Sequence, residues 1–71
     1  MTEFDYSELR GLIRSKFGTQ ENYAKAIGIS ITSFQERLSN KVPFRQTEIV
    51  RTKQLLNLSV ERLAEIFFTV K

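Results

Sequence analysis

The chain has 71 residues, with eleven Lys and Arg against eight Asp and Glu, a net charge of +3, and neither Cys nor His. That composition excludes disulfides, a zinc site and an imidazole base, and a domain this short must rely on helix packing, helped by oligomerisation, for its stability. No apolar run is long enough to cross a bilayer. The acidic start, Met1-Thr-Glu-Phe-Asp5, is not that of a signal peptide, and the modest basic excess has the right sign for a polyanionic partner.

The first predicted helix opens at Asp5, with Glu8 three residues on as a capping box and with Phe4 and Leu9 placed to close a hydrophobic staple. Tyr6, Leu9, Ile13 and Phe17 fall on one face, with Leu12 beside them. Gly11, inside this helix, costs about 1 kcal/mol relative to Ala; either it permits the close approach of another helix or it has no role. Gly18 ends the helix.

Thr19 caps a second helix over 20–27, and Gly28 marks a sharp turn in which glycine takes the left-handed conformation without steric cost. Ala24 is small where a second helix must come close. Ser30 caps a third helix over 31–39, and Ile27, Ile29 and Phe34 fix the angle between the two. Helix, glycine turn and capped helix is the layout of a DNA-binding helix-turn-helix, in which the second of the two helices enters the major groove. The same layout also occurs in plain helical corners.

Asn40 suits a left-handed helix end, and Pro43 forces the stretch around Val42 into a loop. A fourth helix is predicted over 46–56, with Ile49, Leu55 and Leu56 as core candidates. Ser59 caps a fifth, on which Val60, Leu63, Ala64 and Phe67 form an apolar stripe. Ile66, Phe68 and Val70 add more apolar area than one short helix face needs, so the end of the chain either folds back on the core or meets another chain. The expected fold is all-α, five short helices in one domain over residues 1–71.

With Ile31, Phe34 and Leu38 inward, the third helix points Thr32, Ser33, Glu36 and Asn40 outward, flanked by Gln35 and Arg37. Thr32, Ser33, Gln35 and Glu36 are the candidates for base readout: small hydroxyl residues reach base edges, Gln pairs with adenine, and Glu accepts from the cytosine amino group. Gln20, Arg37, Asn40, Lys41 and Arg45 are the candidates for phosphate contact. Arg51, Lys53 and Arg62 read as ordinary surface charges. Asp5 is the only aspartate, Glu61 and Glu65 read as an exposed pair, and no Gly-rich phosphate loop occurs; neither enzyme activity, a cofactor nor a metal is expected.

Phe4-Asp-Tyr-Ser7, Lys16-Phe-Gly-Thr-Gln20, Leu38-Ser-Asn-Lys41 and Ile66-Phe-Phe68 resemble a family of small prophage-encoded Cro/repressor-like proteins of Gram-positive bacteria, over nearly the whole chain. The resemblance implies a repressor-type helix-turn-helix, duplex operator DNA as partner, transcriptional regulation in a phage switch region, and a cytoplasmic, nucleoid-associated location. It also implies an alternative: an antirepressor that binds the phage repressor by protein–protein contact. One departure stands out. Where better-known repressors bury an apolar residue three positions after the one matching Phe34, this chain has Arg37 followed by Leu38, so the third helix is expected to be rolled. Operators are commonly approximate palindromes read by dimers, so a weak homodimer through Ile66, Phe68 and Val70 is expected.

Overall fold

The computed structural model describes residues 3–71, and in them the chain forms five helices: α1 (Ser7–Lys16), α2 (Gln20–Ile27), α3 (Ile31–Leu38), α4 (Gln46–Leu56) and α5 (Val60–Phe67). Among the described residues there is no strand, only an isolated antiparallel bridge between Phe4 and Val70. The fold is all-α. No helix among the described residues is long and apolar enough to cross a membrane.

Local chemistry sets most helix limits. Thr19, Ser30 and Ser59 each accept a backbone N–H from the first turn of α2, α3 and α5, from Asn22, Ser33 and Arg62 respectively. Gly18 and Gly28 both lie at φ +82°, and Asn40 and Asn57 take left-handed φ values of 66° and 52° where α3 and α4 end.

The start of α1 differs from expectation. Its cap position is Tyr6, and Asp5 stands one residue further out. Asp5 still holds the first turn: its Oδ1 accepts from the Ser7 N–H at 2.9 Å and the Ser7 hydroxyl at 2.6 Å. Those two bonds hold the Asp5 carboxyl below its ordinary value, with weaker help from Lys71 and Arg10. Glu8, assigned to a capping box, instead pairs with Arg62 and ties α1 to α5.

The core gathers Tyr6, Leu9 and Ile13 from α1 and its entry, Tyr23, Ala24 and Ile27 from α2, Phe34 and Leu38 from α3, and Ile66 and Phe67 from α5. Phe44, in the loop before α4, joins them edge-on: its ring centroid lies 5.2 Å from Tyr6 and 5.1 Å from Phe67. Four expected core positions are not in it, half-buried Leu56 among them. Leu55 is 49% exposed and Val60 67%, and Ala64 is exposed as well. The buried residues of α4 are instead Glu48 and Thr52. On α5 the inward stripe is Leu63, Ile66 and Phe67, shifted from the expected one because Ile66 and Phe67 together face α1 and Phe44.

The end of the chain folds back by its backbone. The Asp5 N–H donates to the Thr69 carbonyl at 2.7 Å and the Lys71 N–H to the Glu3 carbonyl at 3.0 Å. Ile66 is fully buried in its own chain, which removes it from the expected dimer surface; Phe68 and Val70 stay more than half exposed.

Candidate nucleic-acid interface

Two short helices meet at the turn 28–30. Gly28 closes α2 through its own N–H to the Lys25 carbonyl, and the Ile29 N–H goes to the Ala24 carbonyl at 3.0 Å. Ala24 is almost fully buried, so the small side chain at that position lets α3 come near, with Ile29 packed over the joint. The Ser30 Oγ then accepts the Ser33 N–H at 3.1 Å and lies 3.0 Å from the Ser33 hydroxyl. Ser33 is therefore half-buried in the capping cluster, while Thr32, Gln35 and Glu36 are exposed on α3.

Arg37 breaks with the expectation for a phosphate contact. It is 5% exposed, its Nε donates to Glu48 Oε1 at 2.8 Å, and its Nη1 donates to the Ser33 carbonyl at 2.9 Å. The same Glu48 oxygen accepts the Arg45 N–H at 2.9 Å, at the start of α4. A guanidinium thus occupies the inward position three residues after Phe34, made tenable by a carboxylate whose Oε1 accepts from both Arg37 and the Arg45 N–H. Because Arg37 and Leu38 are both buried beside Phe34, the inward face of α3 includes position 37, and the expected displacement of that position by Leu38 does not occur.

Asn40 is also withdrawn from the candidate contacts. Its side-chain amide closes on the backbone of Phe4, accepting the Phe4 N–H at 2.9 Å and donating to the Phe4 carbonyl at 3.1 Å. Both ends of the amide are thereby held against the Phe4 backbone.

The remaining candidates keep their places. Lys41 and Arg45 are exposed in the loop after α3, and Gln20 is half-buried as the first residue of α2. Neither cation, Lys41 nor Arg45, takes part in an ion pair among the described residues.

Three further cations, outside the sequence-based candidates, stand near the helix pair or line a pocket beside it. Arg51 on α4 lies over the turn: a Cβ added at Gly28 would come within 3.4 Å of its Nη1. Arg10 and Arg14, one turn apart on α1, line a pocket of about 200 Å³ together with Ile13, Gly18 and Gln20. Spacing along α1 could have singled out the second pair; nothing local relates Arg51 to Gly28, since only the packing of α4 on α2 brings them together.

Beneath the turn lies a second buried polar pair. The Thr52 hydroxyl donates to the Glu48 carbonyl at 2.9 Å, so its oxygen receives the Tyr23 hydroxyl, 2.5 Å away. Burial pushes the Tyr23 phenol up to about 12, with the nearby Glu48 charge adding to the shift and the Thr52 bond opposing it.

A small all-helical protein with a capped, outward-facing polar helix is what these features define. The chain belongs to the family described as protein of unknown function (DUF739), whose model matches residues 1–70. A comparison with curated proteins gives no match.

Proposed function

We propose that this protein is a Cro/repressor-type transcriptional regulator of a phage or prophage that binds operator DNA through α3. One observation carries the reading: α2 and α3 meet at a glycine turn over the core, and α3 leaves Thr32, Gln35 and Glu36 exposed side by side. An eight-residue helix is about 12 Å long, which spans three to four base pairs at about 3.4 Å each. Thr32, Gln35 and Glu36 are the base-reading residues in this proposal, with Ser33 at the edge. Gln20, Lys41 and Arg45 hold the phosphates. Repression is steric, by occlusion of the promoter.

The longest dimension of the molecule is 29 Å, shorter than the 34–36 Å between palindromic half-sites, so two copies serve one operator. Exposed Phe68 and Val70 are the proposed contact between them.

The test is a gel shift against the intergenic DNA of the protein's own switch region, with and without the neighbouring repressor. Retarded DNA that returns to the free position on Gln35→Ala supports the reading; no retardation at any tested salt overturns it. One observation favours a second reading. With Arg37 buried, the exposed part of α3 carries Glu36 and no cation, which suits the basic surface of a partner protein. An antirepressor would leave the DNA unshifted and release DNA from the repressor in the same assay.

A further inference from the structure

The pocket between α1 and α2 has no part in the reading helix. Arg10 and Arg14 stand on its α1 wall and Gln20 on its α2 wall, with Gly18 between them. Both arginines are exposed, and neither takes part in an ion pair among the described residues. Two guanidiniums at i and i+4 repel each other by a few tenths of a kcal/mol in an isolated helix. Here they flank one concave space of about 200 Å³, roomy enough for a tetrahedral anion. Gly18 contributes by its lack of a side chain: a Cβ there would meet nothing within 4 Å, so the space beside it is open.

We propose that this pocket binds a single phosphate group, held between Arg10 and Arg14 and bonded by the Gln20 side chain, and that the phosphate belongs to the backbone of duplex DNA. The DNA part rests on the function proposed above. Its geometry follows from α2, whose eight residues run about 12 Å from Gln20 to the turn before α3. The major groove is also about 12 Å wide. A copy with α3 in the groove therefore sets the start of α2 at the groove's edge, where a phosphate stands. Arginine suits this task because its planar fork gives two parallel bonds to a phosphate.

The test compares the wild type, R10A/R14A, R10K/R14K and Lys41→Ala on one duplex across a salt series, alongside an NMR titration of the wild type with inorganic phosphate. R10A/R14A is expected to bind several-fold more weakly to every sequence, and to flatten the log–log salt slope by about 0.9 unit, the value for one phosphate. R10K/R14K is expected to keep the slope and lose part of the affinity. Inorganic phosphate is expected to shift the Arg10 and Arg14 side-chain signals and the Gln20 signals saturably. If R10A/R14A matches the wild type in slope and affinity while Lys41→Ala does not, the pocket proposal is overturned and DNA binding stands. If no variant binds DNA, the DNA part fails, and the phosphate titration decides the pocket alone: saturable shifts at Arg10, Arg14 and Gln20 support an anion site for free phosphate, and unmoved signals overturn it.

Discussion

Arg37 and Glu48 meet inside the protein with 5% and 4% of their surface exposed, and that pair decides how α3 is held on α4. Removing one partner of a buried pair strands the other charge and costs about 3–5 kcal/mol. A chain of this length has about 4–11 kcal/mol in all. Glu48→Ala is therefore expected to lower stability in urea titration by about 3–5 kcal/mol, a large share of the total. R37M/E48M is expected to recover most of that loss, because two thioether chains of similar length refill the space without a stranded charge. The double variant also probes the surface, since DNA affinity close to that of the wild type is the expected outcome if Arg37 touches no phosphate.

Tyr23 gives a pH dependence with a definite sign. Its folded pKa is raised from 10.0 to about 12, so the neutral phenol is favoured by folding. The stability it contributes is complete below about pH 10 and is lost as pH rises from there towards about 12. Stability followed by circular dichroism should fall through that interval, and Tyr23→Phe should flatten the fall while costing about 1 kcal/mol at neutral pH for the lost bond to Thr52. An unchanged alkaline slope in Tyr23→Phe would assign the loss to other groups.

At the scale of the helices, what could be foreseen followed the range of the interactions involved. The limits of α2 and α4 and the caps at Thr19, Ser30 and Ser59 were legible because a cap and the N–H that donates to it lie within three residues. The end of α3 was legible in the same way, from Asn40. The partners that were missed are remote: Arg37 answers to Glu48 eleven residues on, Tyr23 to Thr52 twenty-nine residues on, and Asn40 to Phe4 thirty-six residues back. A charge or hydroxyl at helical spacing reads as surface until the partner that neutralises it is known. The candidate site was half legible for the same reason. Thr32, Gln35, Glu36, Lys41 and Arg45 lie where expected, exposed, while Arg37 and Asn40 are engaged elsewhere.

Two changes test these elements directly. Gly11 lies exposed in α1, and a Cβ there would meet nothing within 4 Å. Of the two roles open to it, the close helix approach is absent, so Gly11→Ala should raise stability by up to about 1 kcal/mol in denaturant unfolding; destabilisation would reveal a role for the bare backbone. On α3, Glu36→Gln should relax base preference at one operator position by about 1–3 kcal/mol, read by competition among single-base operator variants. Equal loss across all variants would instead make Glu36 an electrostatic neighbour of the phosphates.

For the whole molecule, the proposed dimer turns on the end of the chain. Phe68 is half exposed, yet its ring stands edge-on to Phe4 at 6.1 Å, so it serves its own fold while offering a face outward. Because the bridge uses the N–H of Asp5 and Lys71 and the carbonyls of Thr69 and Glu3, the N–H and carbonyl of Val70 point to the opposite side. On the other flank, the Phe4 backbone groups are taken by Asn40. The chain therefore has one closed edge and one open edge in this small pairing. Phe68→Ala should lower the dimer fraction in sedimentation at high concentration and reduce cooperative operator binding, with the helical content unchanged. A wild type that sediments as a monomer throughout would place these residues in the service of a single copy.

The Asn40 side chain joins the end of α3 to Phe4, and residues 3–5 are paired in turn with residues 69–71. Amide protons exchange with solvent when the structure around them opens, and segments that open together exchange together. The amides of Phe4, Asp5 and Lys71 should therefore behave as one exchange unit with the final turn of α3. Anything that clamps α3 should slow deuterium uptake at both extremities of the polypeptide, far along the chain from the clamped residues. The two ends thus become remote reporters of whether α3 is occupied, readable by mass spectrometry without a label on the reading face.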